Sequence, residues 1–263
     1  MSSQTDDPLI EVEDVGMRFG SVEALSNVDL ALRENEVLGL VGDNGAGKST
    51  LIKILVGIHE PTAGRIKYRG EPVTIDSPKD ARDLGIATVY QDLALVDELS
   101  VAKNVFLGRN PTRYVGGMVP VIDEVEMREE TNRILEERLD IHIDPDTPVE
   151  FLSGGERQAI AIARALVTDP EIILMDEPTS ALSQAAVEKV ERLVRTLQEQ
   201  GHSIIIIDHN LDEIFSWTDR IAVLHNGRIV DMVRTADVTR DDVISMMISG
   251  QPIQPESDST TTA

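Results

Sequence analysis

The feature that most constrains the fold is a glycine-rich segment of nine residues, Gly-Asp-Asn-Gly-Ala-Gly-Lys-Ser-Thr, at positions 42–50. The apolar run at residues 37–41 precedes it and predicts a buried strand, and a helical pattern over residues 50–56 follows it and ends at Gly57. Between a strand and a helix, glycines let backbone N–H groups turn inward around an anion, and the helix N-terminus adds partial positive charge. The segment therefore predicts a phosphate-binding loop in an α/β protein.

Two side chains of this loop have separate expected roles. Lys48 is placed to contact the β- and γ-phosphates of a nucleoside triphosphate, and the Ser49 hydroxyl is placed to bind Mg²⁺. The alternative is a glycine-rich turn whose lysine points to solvent, but all nine residues and both flanking elements match the phosphate loop. We therefore expect a purine nucleotide to contact the whole segment, which comprises Gly42, Asp43, Asn44, Gly45, Ala46, Gly47, Lys48, Ser49 and Thr50.

The rest of the chain continues the alternation of short apolar runs and helical patterns that is typical of a mostly parallel sheet. Residues 172–175 and 204–207 predict two more buried strands, and residues 184–200 predict an amphipathic helix. Looser strand patterns over residues 9–32 and an Asn-Gly turn at 226–227 predict flanking antiparallel strands. Because ligands in open α/β sheets bind beyond the carboxyl ends of the strands, the residues that follow each strand are candidates for function.

Two neighbouring carboxylates follow the strand at residues 172–175. Asp176 is placed to hold Mg²⁺ through water, and Glu177 is placed to orient and polarise an attacking water. An Asp-Glu-Pro triplet also ends many strands as ordinary turn residues. The pair therefore predicts catalysis only together with the phosphate loop.

A histidine follows the strand at residues 204–207. His209 could reach the γ-phosphate and hold the hydrolytic water and Glu177 in register. A lone histidine is more often structural or solvated, but the end of a central strand favours a catalytic role. No motif surrounds the other histidines, which are therefore interpreted as structural or solvated: His59, His142, His202 and His225.

The chain is interpreted as one domain over residues 8–250, since its 263 residues suffice for one core with a subdomain. Residues 92–165 predict a largely helical insertion, in which Asp123 and Glu126 suit a capping box. The tail at 251–263 is polar, contains two prolines and is expected to be disordered.

The composition excludes several classes of protein. The 47 acidic residues against 24 basic ones give a formal charge of −23, which would repel nucleic acid and anionic lipid surfaces. Two interpretations of this excess stay open, namely solubility and adaptation to high salt. No apolar run reaches the roughly 18 residues of a membrane span, and the absence of cysteine fits a reducing compartment. We therefore expect a cytoplasmic location.

A second glycine-bearing motif, Leu-Ser-Gly-Gly-Glu, lies at residues 152–156 and precedes a helix predicted from about Gln158 to Val167. Locally, Ser153 and Glu156 form a capping box. The two glycines also leave the backbone bare for a phosphate at the helix start. These residues alone do not indicate which molecule supplies that phosphate.

Taken in order, the phosphate loop, Gln91, residues 152–156, residues 172–177 and His209 resemble the nucleotide-binding domains of ABC transporters. The resemblance implies a P-loop NTPase core of the RecA-like type, with an antiparallel β subdomain and an inserted α-helical subdomain. It implies ATP and Mg²⁺ as ligands, Phe19 as the aromatic ring on adenine, and Gln91 as a lid residue between Mg²⁺ and a membrane partner. It also implies a head-to-tail homodimer, in which one subunit contacts the γ-phosphate held by the other through Ser153, Gly154, Gly155 and Glu156.

Residues 89–95 and 99–109 are similar to the ribose-, xylose- and fructose-type importers of this family. The resemblance implies a monosaccharide importer whose partners are multi-span permease subunits and an extracytoplasmic sugar-binding protein. It also implies two copies of this chain at the cytoplasmic face of the cell membrane. Ser183 stands where many family members carry an aspartate, in the loop after residues 178–182 that the resemblance associates with communication across the dimer. A soluble ABC ATPase and a subunit for another small substrate stay open as alternatives.

Overall fold

The computed structural model describes residues 8–115 and 118–253. The predicted disordered tail lies outside these ranges from residue 254 onward. Two compact units make up the chain. Among the described residues, the first unit contains 8–33, 38–76 and 208–253, and the second contains 34–37, 77–115 and 118–207.

Strands and helices alternate along the chain, as the sequence pattern predicted. In chain order the elements are β1 (Ile10–Phe19), β2 (Val22–Leu32), β3 (Val37–Val41), α1 (Lys48–Leu55), β4 (Ala63–Tyr68), β5 (Glu71–Val73), α2 (Pro78–Asp83), β6 (Ile86–Val89), α3 (Val101–Val105), β7 (Thr112–Val115), β8 (Val119–Ile122), α4 (Glu124–Asn132), α5 (Gly154–Leu166), β9 (Ile172–Asp176), α6 (Gln184–Glu199), β10 (Ser203–Ile207), α7 (Leu211–Trp217), β11 (Arg220–His225), β12 (Arg228–Arg234) and α8 (Arg240–Ser249).

The first unit contains an antiparallel sheet with the strand order β2-β1-β4-β5. β1 and β2 form a hairpin in which Ile10 lies opposite Leu32 and Phe19 lies opposite Val22. Most of the apolar side chains of both strands are buried, because one face of the hairpin packs into the core. The antiparallel strands predicted over residues 9–32 are confirmed.

The same unit contains β3, which pairs in parallel with β11, and β11 pairs antiparallel with β12. Val41, the last residue of β3, lies opposite Val223. Asn226 and Gly227 form the turn between β11 and β12, both with positive φ, of 47° and 77°. This turn is the one that the Asn-Gly pair predicted, since both residue types tolerate the left-handed region.

The second unit contains three parallel strands, with β9 between β6 and β10. Every residue of β10 is buried, as is every residue of β9 before Asp176. Helix α5 contacts β6 and helix α6 contacts β10, which accounts for near-continuous apolar sequence in these strands. With the parallel pair β3 and β11, they confirm the predicted α/β fold with a mostly parallel sheet.

The chain between β6 and α5 contains α3, α4 and also the two-stranded hairpin of β7 and β8, which the sequence analysis did not predict. Helix α4 ends at Asn132, and the chain continues as a π-helical turn, Arg133–Arg138. Asp123 accepts hydrogen bonds from two backbone N–H groups at the start of α4, although the reciprocal bond of a capping box is not seen. Within the described ranges, no helix has the length and apolar character needed to cross a bilayer.

Candidate functional site

The phosphate loop connects β3 to α1 in the first unit. At two of its positions, steric crowding excludes every residue that has a Cβ atom. A Cβ atom on Gly42 would overlap the carbonyl oxygen of Leu224. Gly47 has a φ of 114°, and a Cβ there would lie 2.7 Å from Leu25 Cδ2 and 2.9 Å from the carbonyl oxygen of Ala24. The loop backbone therefore lies so close to neighbouring residues that only glycine, which has no Cβ atom, fits at these two positions.

Lys48 is the first residue of α1, two positions earlier than the predicted helix start. Its Nζ donates hydrogen bonds to the carbonyl oxygens of Gly42 at 2.6 Å and Asp43 at 3.1 Å. The ammonium group thus lies over the loop and does not point away into solvent. Gly47 caps the helix without a side chain, so the first N–H groups of α1 meet no side-chain acceptor from the cap residue. Positive charge and backbone donors therefore share this loop.

Two other predicted residues lie in the first unit. Phe19, at the end of β1, has 44% of its surface exposed and makes a ring contact with His59. His209 follows β10 and is exposed, with its Nδ1 3.7 Å from Oδ1 of the buried carboxylate of Asp208. Asp208 also accepts a hydrogen bond from the backbone N–H of Asn210, the residue that caps α7. These contacts orient the segment that carries His209.

In the second unit, Asp176 ends β9 and Glu177 follows it, both half-buried. Glu177 adopts the left-handed backbone region with a φ of 46°, which costs about 1–2 kcal/mol for a residue with a Cβ. Its N–H donates to the carbonyl of Ile207 at 2.8 Å, so the neighbouring strand β10 holds it in place. Nε2 of Gln91 donates to Oε2 of Glu177 at 2.9 Å. The structure thereby brings together two predicted site residues from distant parts of the second unit.

The segment after Gln91 is anchored by two residues that the sequence analysis missed. Buried Asn104 accepts a hydrogen bond from Val96 N–H and donates to three carbonyl groups of the same segment. The guanidinium group of Arg164 donates to the carbonyls of Leu93 and Asn104 at 3.1 Å and 3.0 Å. Burial, and then the charge of Arg109, lowers the pKa of Arg164. The available signal was a charged residue inside the apolar pattern of α5.

The motif at residues 152–156 forms the start of α5, which begins at Gly154 and not at the predicted Gln158. The predicted capping box is confirmed: the N–H of Ser153 donates to Oε2 of Glu156 at 2.8 Å, and its Oγ accepts from Glu156 N–H. Hydrogen bonds from the hydroxyl and then the backbone of Ser153 lower the pKa of Glu156. A Cβ on Gly155 would lie 3.1 Å from Cβ of Ala186, so this glycine lets α5 pack closely on α6.

The predicted magnesium ligands are a hydroxyl, an amide and one carboxylate, from Ser49, Gln91 and Asp176. Across residues 8–115 and 118–253, no group of three or more His, Cys, Asp or Glu side chains could hold a metal ion. Mg²⁺ takes oxygen ligands, keeps several waters and commonly binds through few protein groups together with substrate phosphates, and the side-chain oxygen atoms of Ser49, Gln91 and Asp176 match that chemistry. The Asp176 carboxylate supplies the negative charge of that set.

Comparison with known proteins defines the class. Residues 25–180 match the model of the ABC transporter family, and the chain belongs to this family. A solved structure, a nucleotide-free ATP-binding cassette from an ABC transporter, superposes with a TM-score of 0.77 and 26% identity over 92% of this chain and 95% of the other. The fold is therefore that of an ATP-binding cassette.

Among curated proteins, the chain is similar to ATP-binding proteins named for sugar import. A xylose/arabinose import ATP-binding protein of Sulfolobus acidocaldarius is 43% identical, over 92% of this chain and 94% of the relative. A ribose import ATP-binding protein of Streptomyces avermitilis is 41% identical, over 92% of this chain and 47% of the relative. The chain spans about half the length of the Streptomyces protein and of a ribose/galactose/methyl galactoside import relative from Ralstonia nicotianae, and nearly all of the Sulfolobus protein.

Proposed function

We propose that this chain binds and hydrolyses ATP to drive the import of a monosaccharide through an ABC transporter. The observation that carries the proposal is the phosphate loop, with Gly42 and Gly47 at positions that exclude a side chain and Lys48 folded over the loop. Sugar as the cargo is supported by the names of the relatives, above all the Sulfolobus protein, which matches over nearly its whole length.

In this proposal the loop binds the nucleotide through its phosphates. Lys48 and the backbone N–H groups of residues 42–50 neutralise and position the β- and γ-phosphates. Ser49, Asp176 and Gln91 would hold Mg²⁺, which when bound offsets the negative charge of the phosphates. Phe19 supplies a ring for the adenine base, because its exposed surface can stack on a flat heterocycle.

Hydrolysis depends on the carboxylate of Glu177, which orients and polarises the attacking water. The hydrogen bond from Gln91 holds that carboxylate in one orientation, and the left-handed backbone at Glu177 fixes where its side chain begins. His209 keeps the water and Glu177 in register. A positioned base of this kind is worth about 10²- to 10⁴-fold in rate.

A second copy of the chain completes each site in a head-to-tail homodimer. Ser153, Gly154, Gly155 and Glu156 of one copy contact the γ-phosphate held by the other, so ATP favours the closed dimer and hydrolysis releases it. The capping box supports this role, because it fixes the first turn of α5 and its backbone donors. Permease subunits and an extracytoplasmic sugar-binding protein complete the transporter, with this chain at the cytoplasmic face of the membrane.

The test is reconstitution of the chain in proteoliposomes with a permease and a sugar-binding protein from the same genome. We expect ATP hydrolysis and uptake of at least one labelled sugar from a panel of xylose, arabinose, ribose, galactose, glucose and fructose. The Lys48→Ala variant, measured in parallel, should bind ATP weakly and show neither ATP hydrolysis nor sugar uptake. Turnover with no sugar stimulation would favour a soluble ABC ATPase, and stimulation by a different solute would assign another small substrate. Tight ATP binding by Lys48→Ala would overturn the assignment of the loop.

A further inference from the structure

The ring of Phe19 does not stand alone at the end of β1. The centroids of the Phe19 and His59 rings lie 5.2 Å apart, and their planes meet at 71°. Rings attract in this edge-to-face arrangement because the positive edge of one meets the negative face of the other. Phe19 is 44% exposed even with this contact in place. His59 therefore restrains the Phe19 ring and still leaves surface for a ligand.

The backbone of His59 is held from two directions. Its N–H donates to the carbonyl of Lys53, in the last turn of α1, at 3.0 Å. Three residues later, the N–H and the hydroxyl of Thr62 both donate to the carbonyl of Gly16, on β1, at 2.8 Å and 3.1 Å. The position of His59 is thus set by α1 and β1, the two elements that carry Lys48 and Phe19.

Helix α1 runs directly from the phosphate loop to this contact. It spans only Lys48–Leu55, and half of its residues are buried, so it packs as one rigid element. In the described residues, the His59 ring makes no hydrogen bond or ion pair, and it lies edge to face against the Phe19 ring. His59 thereby links the Phe19 ring, which is proposed to stack on adenine, to helix α1, which begins at the phosphate loop.

We propose that His59 is a positioning residue for nucleotide binding, which holds the Phe19 ring in the orientation for stacking on the base at a fixed distance from the phosphate loop. This inference rests on the proposed role of Phe19 in ATP binding. The sequence alone predicts a structural or solvated role for His59, because no motif surrounds it. Only the fold brings position 59 to the end of β1.

The test measures equilibrium binding of ATP, and of inorganic tripolyphosphate by competition, to the full chain. Tripolyphosphate shares the phosphates but has no base to stack. We expect His59→Ala to weaken ATP binding about threefold to tenfold, the factor that an aromatic pair is worth, and to change tripolyphosphate binding by less than about twofold. His59→Phe, which keeps an edge-to-face partner for Phe19, should bind ATP about as tightly as the parent. His142→Ala, at an exposed histidine in the second unit, is the control and should bind both ligands as the parent does.

A double-mutant cycle separates positioning from a general effect on the loop. If His59 acts through Phe19, adding His59→Ala to Phe19→Ala should weaken ATP binding no further. Equal losses for ATP and tripolyphosphate, or additive losses in the cycle, would overturn the proposal. If Phe19→Ala binds ATP like the parent while Lys48→Ala does not, His59 has no positioning role, and the proposed binding of ATP by the phosphate loop is still supported. If Lys48→Ala binds both ligands like the parent, the proposed function itself fails.

Discussion

Nε2 of Gln91 lies 2.9 Å from Oε2 of Glu177, so an amide that follows β6 holds a carboxylate that follows β9. The two strands are parallel, with Val89 opposite Met175, and their carboxyl ends therefore meet at one edge of the second unit. In the proposed function Gln91 is the lid residue and Glu177 the base, so this hydrogen bond would couple the position of Gln91 to the orientation of the Glu177 carboxylate.

The first prediction concerns Glu177. Glu177→Gln should bind ATP as tightly as the parent, because the amide keeps the shape of the side chain. It should lose hydrolysis by about 10²-fold or more, because an amide cannot accept the proton of the attacking water. Single-turnover hydrolysis in the reconstituted transporter measures this effect, and Glu188→Gln, at an exposed position on α6, serves as the control. Undiminished turnover in Glu177→Gln would remove Glu177 from the mechanism.

The second prediction compares two glycines of the phosphate loop. Gly45 and Gly47 both have positive φ, of 85° and 114°, so alanine is strained at either position. Only Gly47 is crowded, because an added Cβ at Gly45 meets nothing within 4 Å. Gly45→Ala should lower the free energy of unfolding by about 1–2 kcal/mol, and Gly47→Ala by about a further 1–3 kcal/mol. Urea denaturation followed by circular dichroism measures both. Equal losses would mean that the crowding at Gly47 relaxes at no cost.

The third prediction concerns Asn104, which anchors the segment after Gln91. Asn104→Ala leaves the N–H of Val96 and three carbonyl groups without their side-chain partner, and it should cost about 2–4 kcal/mol of stability. Hydrogen exchange should also accelerate at residues 92–100, which include the N–H of Val96. Asn110→Ala, at an exposed asparagine, should change stability by less than about 0.5 kcal/mol. Unchanged exchange at residues 92–100 in Asn104→Ala would contradict the anchoring role.

The fourth prediction concerns pH. His202 is buried, its Nδ1–H donates to the carbonyl of Pro170 at 2.6 Å, and its Nε2 accepts from Nη2 of Arg138 at 2.9 Å. Burial lowers the pKa of His202 below its ordinary value of 6.5, despite the bond to Pro170. Since the unfolded chain then binds a proton more readily, the stability from neutral His202 is complete above pH 6.5 and decreases as the pH falls toward the folded-state pKa.

Urea denaturation between pH 7.5 and pH 5 tests this sign. His202→Gln can still accept a hydrogen bond from Arg138 but does not titrate, so its free energy of unfolding should fall less steeply with pH than that of the parent. His142→Gln, at an exposed histidine, should keep the pH dependence of the parent. Parallel curves for the parent and His202→Gln would show that His202 does not contribute.

The amino-acid sequence by itself determined the features that depend on neighbouring residues. The phosphate loop, the strand at residues 37–41, the turn at 226–227 and the capping box of Ser153 and Glu156 all follow from local periodicity and turn chemistry. In each case the residues that make the structure lie within a few positions of one another. Their steric and hydrogen-bonding preferences can therefore be predicted from the sequence without knowledge of the fold.

Only the tertiary structure decided which distant residues meet. The bond from Gln91 to Glu177 joins positions 86 apart, and the ring pair of Phe19 and His59 depends on how α1 and β1 hold their ends. The close approach of Gly155 to Ala186, which lets α5 pack on α6, likewise joins positions far apart in the sequence. Local preference is weak compared with such long-range contacts, and the chain carries no local signal of where they form.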